Sequence, residues 1–348
     1  MPSELQVFFH TTHTYHGQGY VSAFDQSSTL TSLSQFTVQT RRVFKLIDVI
    51  NVEKYLTRQS FNLVTDSMKS KSSVTLGLIQ MNMADNPSLN LGKAERLIDE
   101  AAKQGAQIVC LPELFNSLYF PQEEKAKPLA ETIPGETTVT LSRVAKRNKI
   151  VLVGGSIYEK AGGKCYNTAI VFDEEGGIIG KYRKVHIPND PNYYEQSYFD
   201  SGTEYRVFTT RYGKIGVLIC FDQWYPEPAR IMKLSGADII FYPTTIGSVR
   251  GIDQVEGDWH EAWESVQRGH AISNSIVVAA VNRVGREKEM TFWGGSFTYD
   301  QFGKLLLRAD DTEGVFLTTC DLSLGTSIEE GWGFLRNRKP HTYTKLLK

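Results

Sequence analysis

Three reactive side chains sit where apolar runs end. Glu113 closes QIVCLPE (107–113), Lys184 lies in KYRKVHIP (181–188), and Cys220 ends KIGVLIC (214–220) before Phe-Asp-Gln-Trp. A thiol that gives up its proton can attack a carbonyl carbon, a carboxylate can carry that proton, and an ammonium can hold developing negative charge. Each residue taken alone also has a plainer reading. A Cys at the end of an apolar strand is commonly a small buried hydrophobe. A Glu after Pro can simply favour a helix N-terminus, and KYRK can be a charged sheet edge that discourages aggregation.

Bringing such distant positions together requires a layered fold. From Val74 onward, strand-like and helix-like patterns alternate with few long gaps. Apolar runs predict strands over 74–81, 107–113, 150–159, 214–222, 238–244, 276–285 and 314–322. Hairpins are predicted over 166–188, turning at Gly176-Gly177, and over 294–307. Helical periodicity predicts helices over 89–106, 137–148, 227–237 and 259–275. This is an α/β pattern of two sheets covered by helices, in one domain from about 74 to 330. Ligand sites in such folds gather at the carboxyl ends of strands. The two-residue strand period puts Tyr182 and His186 on the same face as Lys184.

The flanks differ in composition. Residues 1–73 are rich in Ser, Thr and Gln and read as a disordered extension, with a possible short helix over 44–55 and an alternative start at Met68. His10, His13 and His16 lie there without acidic or Cys companions, so they are not read as a metal site. In the C-terminal segment, 331–348, Arg336, Arg338 and Lys339 read as a solvated edge or a subunit contact.

Lys and Arg (38) nearly balance Asp and Glu (39), which leaves no basic field to follow a nucleic-acid backbone. No apolar run reaches the roughly 18 residues needed to cross a bilayer, so neither nucleic acid nor membrane is an expected partner. Cys110, Cys165, Cys220 and Cys320 never form a CxxC pair, which argues against a zinc knuckle or a disulfide scaffold. With no secretory-type leader, a cytoplasmic location is the default expectation. A GxSxG elbow, an HExxH helix and Gly-rich phosphate loops are all absent, which disfavours a serine hydrolase, a zinc protease and a nucleotide-binding enzyme.

LPELF (111–115), KYRKVHIP (181–188) and VLICFDQWYPE (217–227), in that order, resemble the three motifs of the nitrilase, or carbon–nitrogen hydrolase, superfamily. The resemblance runs from about residue 74 to 345. It implies a four-layer α-β-β-α sandwich, a Glu113–Lys184–Cys220 triad and no cofactor or metal. Glu195, in EQSYF (195–199), matches a second acid found in relatives that cleave N-carbamoyl compounds. Within this scheme Cys220 is the nucleophile and Glu113 the acid–base. Lys184 and the Phe221 N–H hold the oxyanion, and Glu195 orients Lys184 or binds the ureido NH₂. A helix N-terminus after Cys220 and the charge of Lys184 would both favour the thiolate.

The substrate reading turns on Gln223 and Trp224, where relatives acting on N-carbamoyl amino acids carry arginines. An amide and an aromatic do not clamp a carboxylate, but they tolerate a cationic chain. CFDQWYPEPAR (220–230), LFNSLYFPQ (114–122) and DWHEAW (258–263) are similar to the branch that hydrolyses N-carbamoylputrescine to putrescine, CO₂ and ammonia in polyamine synthesis. Asp222, Trp224, Glu256 and Asp258 are candidates to receive the substrate ammonium. The implied partner is a small carbamoyl amine, and the family implies a homo-oligomer. Alternatives are a β-ureidopropionase or ω-amidase activity, or an inactive scaffold that keeps the fold.

Overall fold

Alternation along one short strand shows how the layers arise. In Ile108–Cys110, Ile108 and Cys110 join an apolar core with Val217, Ile239 and Val277, whereas Val109 packs with Leu97, Ile98 and Val144. A strand that is apolar on both faces must be covered on both sides. The computed structural model describes residues 73–252 and 255–347. The chain divides into units of residues 1–64 and 65–348. The first unit, the expected disordered extension up to residue 72 and the three early histidines lie outside the described residues.

Among the described residues, one seven-stranded sheet is ordered Gly314–Asp321, Ser73–Gln80, Ile108–Cys110, Val151–Val153, Lys164–Phe172 and Ile157–Ala161. Its seventh strand, Ile178–Arg183, also pairs with Lys164–Phe172. A six-stranded sheet is ordered Leu305–Arg308, Phe297–Tyr299, Val277–Val281, Ile239–Pro243, Gly213–Val217 and Val207–Thr210. The two sheets face each other across a core that includes Leu76, Leu78, Val153, Val217, Phe241 and Ala279. Helices Pro87–Lys103 and Glu136–Asn148 cover the first sheet. Helices Pro226–Leu234 and Trp259–Asn274 cover the second, burying Met232, Trp263 and Ala271. The result is the expected α-β-β-α sandwich.

Helix starts follow from local chemistry. Asn86 accepts from the Ser88 N–H ahead of a helix that opens with Pro87, and Asp258 accepts from the His260 and Glu261 N–H groups. In the first helix Leu91, Ala94, Leu97, Ile98 and Ala101 make the buried stripe. Full burial of a Leu or Ile side chain contributes roughly 1.5–3 kcal/mol, and that of an Ala methyl less.

The structure departs from the sequence reading in several places. The strand expected over 150–159 is two strands, Val151–Val153 and Ile157–Ala161, broken at Gly154-Gly155. Gly155 has φ 57°, and a Cβ there would lie 2.1 Å from the Pro112 carbonyl oxygen; only glycine lets the chain pass so close to the segment carrying Glu113. The run over 276–285 stops at Val281, and Val284–Glu287 instead joins Gly247–Val249 and Met290–Trp293 in a third, three-stranded sheet. Helix Ser323–Gly331 crosses the expected boundary near 330. Among the described residues, no helix is long and apolar enough to cross a membrane.

Candidate active site

Parallel pairing sets the site. Strands Gly213–Val217, Ile239–Pro243 and Val277–Val281 are parallel neighbours, so their carboxyl ends share one edge of the second sheet. Cys220, Thr245 and Arg283 follow those three ends. Ser73–Gln80, Ile108–Cys110 and Val151–Val153 run parallel in the first sheet, and Glu113 follows the middle one. Lys184 follows Ile178–Arg183, where alternation sends Tyr182 and Lys184 inward, while Lys181 and Arg183 bond Glu159.

At this edge Lys184 Nζ donates to Glu113 Oε1 at 2.9 Å and to both oxygens of Glu195, at 2.9 and 2.7 Å. Asn167 Nδ2 also donates to Glu113 Oε1 (2.8 Å), and the Tyr119 hydroxyl donates to Glu195 Oε1 (2.8 Å). Glu113 Oε2 is buried without a partner. Such an atom, next to a fully bonded Oε1, is an acceptor held open for a proton. Cys220 Sγ lies 3.6 Å from the Thr245 carbonyl oxygen. Two backbone kinks accompany these groups. Leu114, after Glu113, has φ 47°, and Cys220 itself has φ 41°. Left-handed non-glycine residues cost about 1–3 kcal/mol each and concentrate at functional sites.

The electrostatics are those of a dry site holding two carboxylates and one ammonium. Burial pulls the Lys184 ammonium down, but Glu113 and Glu195 together outweigh it, so Lys184 stays charged. Burial pushes Glu195 up to about 7, with Glu113 adding to the rise and Lys184 opposing it. The Cys220 thiol is raised well above its ordinary value by burial and then by Glu113, and Lys184 only partly offsets this. This corrects the expectation of a helix-stabilised thiolate. Cys220 opens a 3₁₀ turn, Cys220–Trp224, and helix Pro226–Leu234 begins only after Tyr225. The α-helix thus starts beyond the sulfur, and burial favours its protonated form.

Cys220 and Glu195 open into a cavity of about 460 Å³, lined also by Tyr193, Phe221, Gln223, Trp224, Ile246 and Val249. Its outer wall comes from two stretches of chain, Asp190 and Pro191 on one and Val249, Ile252, Glu256, Trp259 and Ala262 on the other. A larger cleft, of about 710 Å³, is lined by Tyr119 and Glu287 among others and does not include Cys220.

Residues 75–330 match the family described as carbon-nitrogen hydrolase. The protein belongs to this family. It is 39% identical over 286 residues to an N-carbamoylputrescine amidase of Solanum lycopersicum, covering 79% of this chain and 95% of that one. It is 36% identical to a citrullinase of Francisella tularensis, covering 80% and 99%. The crystal structure of a carbon–nitrogen hydrolase from Helicobacter pylori G27 superposes with a TM-score of 0.74 at 35% identity, covering 79% of this chain and 99% of that one. The chain is thus an amidase by reaction class.

For this carbon–nitrogen hydrolase the sequence pointed to eight site residues, and seven meet at one place. Lys184 donates to both Glu113 and Glu195, while Cys220, Phe221, Gln223 and Trp224 border the cavity. Asp222 does not. It is fully buried and holds the turn: Oδ2 accepts from the Tyr182 hydroxyl (2.7 Å) and the Ile219 N–H (2.9 Å). Its Oδ1 accepts from the His186 N–H (3.0 Å) and lies 2.7 Å from the His186 ring Nδ1. With its oxygens committed, Asp222 cannot receive a substrate ammonium. Asp258 is likewise used as a helix cap, whereas Glu256 does line the cavity. Gln223 is clamped through Oε1 by Trp263 Nε1 (2.8 Å) and Gln267 Nε2 (3.2 Å), leaving its Nε2 unpaired.

Sequence reasoning missed Tyr119, Asn167, Thr245 and Arg283. For Arg283 a signal existed, because Asn282-Arg283 ends an apolar strand as Glu113 and Cys220 do. Tyr119 and Asn167 carry no such mark.

Proposed function

We propose that the protein hydrolyses N-carbamoylputrescine, or a closely similar carbamoyl amine, through a covalent Cys220 intermediate. Glu113 Oε2 takes the thiol proton as Sγ attacks the ureido carbon. The oxyanion is held by Lys184 Nζ and the Phe221 N–H, a contribution of roughly 3–4 kcal/mol per donor in such sites. The C–N bond to the terminal nitrogen breaks, and Glu113 returns the proton to the leaving ammonia. Water, deprotonated by Glu113, then attacks the thiol-bound carbonyl. Cys220 is released, and the resulting carbamic acid separates into CO₂ and putrescine. Because burial favours the protonated sulfur, the attack draws on Glu113 as general base. Glu195 keeps the Lys184 ammonium in place and balances its charge.

The observation that carries the substrate reading is the cavity lining. Among the described residues that line it, none is Lys or Arg, whereas Asp190 and Glu256 are carboxylates and Trp224 and Trp259 are aromatic. Such a wall suits an alkyl chain ending in an ammonium. The relative named as an N-carbamoylputrescine amidase agrees with this reading. The relative named as a citrullinase favours a second one, in which the chain ends in an amino acid. That end carries a carboxylate, which would find no cationic partner in this lining.

A panel of N-carbamoylputrescine, citrulline, N-carbamoyl-β-alanine and ω-amides, assayed for ammonia release, tests the choice. N-Carbamoylputrescine should exceed N-carbamoyl-β-alanine in kcat/KM by on the order of a hundredfold, because an unpaired carboxylate in the cavity costs several kcal/mol. A carboxylate-bearing substrate at the head of the panel overturns the putrescine reading.

A further inference from the structure

Arg283 is a fully buried guanidinium with no part in the chemistry above. It lies beneath the kinked turn after Glu113. Nη2 donates to the carbonyls of Glu113 (2.8 Å) and Leu114 (3.1 Å), and Nη1 to that of Ser117 (3.4 Å). Nε donates to Thr245 Oγ1 (3.2 Å), whose hydroxyl in turn donates to the Glu113 carbonyl (3.2 Å). Nη1 also pairs with Glu287 Oε1 at 2.7 Å, and Glu287 Oε2 accepts the Tyr119 N–H at 2.6 Å. A buried ion pair is costly unless its remaining donors and acceptors are used, and these are used on the segments that carry the site.

Each reacting group stands within a few bonds of this pair. Glu113 is held directly, through its own carbonyl. Cys220 is reached through Thr245, whose carbonyl faces Sγ. Lys184 and Glu195 are reached through Tyr119, whose N–H meets Glu287 and whose hydroxyl meets Glu195. We infer that the Arg283–Glu287 pair is a positioning device for amide hydrolysis, fixing the direction of Glu113 relative to Cys220 by holding the 113–119 segment against Thr245. The inference rests on the assignment of Glu113 as base and Cys220 as nucleophile.

A pair that served the fold alone would change the melting temperature and leave the turnover of folded enzyme intact. A positioning pair acts on kcat, since a misplacement of about 1 Å can cost about a hundredfold. Arg283→Lys keeps the charge opposite Glu287 but loses the planar fork that spans the carbonyls. Its kcat should fall about a hundredfold with KM within about threefold of the parent. Alkylation of Cys220 near neutral pH should slow in parallel. A folded Arg283→Lys enzyme with kcat within about threefold of the parent overturns the inference.

Should Arg283→Lys fail to fold, Glu287→Gln decides the matter. It keeps an oxygen for Arg283 and loses the acceptor for the Tyr119 N–H, so the same kcat-against-KM split is expected and an unchanged kcat overturns the pair's role. Cys220→Ala, measured alongside, separates the two levels. An inactive Cys220→Ala beside a fully active Arg283→Lys removes the positioning pair alone, whereas an active Cys220→Ala removes the nucleophile assignment beneath it.

Discussion

At the inner end of the cavity, Glu113, Lys184 and Glu195 are at most 1% exposed, and all but one of their charged oxygen and nitrogen atoms are bonded within the protein. At the outer end Glu256 is exposed, Ile252 is 40% exposed, and Glu256 Oε2 accepts from Trp259 Nε1 at 3.2 Å. The inner groups follow the ends of sheet strands, apart from Glu195 in its 3₁₀ turn, and the outer ones lie on two segments, around Asp190 and around Glu256. The difference teaches where each property resides. Bond breaking needs fixed geometry in a dry site, so its groups are buried and over-determined. Substrate choice is a smaller energy difference, and a wetter, less constrained wall can supply it.

The largest effect should come from the inner end. Glu113→Gln removes the carboxylate oxygen, Oε2, that is buried without a partner, so turnover should fall on the order of a thousandfold, and the Cys220 thiol should alkylate more slowly. Ammonia release within about tenfold of the parent would break the comparison, because the inner end would then tolerate change as the outer one does.

At the outer end Glu256→Gln should act on binding. KM for N-carbamoylputrescine should rise about fivefold with kcat nearly unchanged, as fits a solvent-screened ion pair. A loss in kcat at constant KM would show that the outer wall shares in the chemistry.

The finest test is a pH profile. As pH falls through about 7, Glu195 takes up a proton and no longer pairs as a charge with Lys184, so activity should decline on the acid side. The Tyr119 hydroxyl stabilises the charged carboxylate. Tyr119→Phe should therefore raise that limb by up to about one pH unit, the equivalent of one hydrogen bond. A limb that stays in place would assign the titration to another group.

The sequence revealed the inner end better than the outer one, for physical reasons. Glu113, Lys184 and Cys220 stand out because reactive types interrupt or follow long apolar runs, and strand ends in such folds point at ligands. Asp222 misled because its neighbour is the nucleophile. Its real partners, the Tyr182 hydroxyl and His186, lie on a strand and loop distant in sequence, which no local pattern reports. The strands of the third sheet have three or four residues each, too few for alternation to show. Arg283 carried a signal, a charge at the end of an apolar run, but it stands in the two-residue gap between Val277–Val281 and Val284–Glu287, where the run reads as unbroken strand.

The outer wall has a consequence for how such an enzyme can change. Val249, Ile252, Glu256, Trp259 and Ala262 fall within one short span of sequence, 249–262, and the bonds that hold Lys184 to Glu113 and Glu195 involve none of them. Val249 packs with Leu114 and Tyr119, but Ile252, Glu256 and Ala262 are exposed. Substitutions at those exposed positions and at Asp190 can redraw the chain length and charge that the cavity accepts, while the bonds of the inner groups stay in place. Diversification of substrates within one catalytic lineage then needs no intermediate that is catalytically impaired.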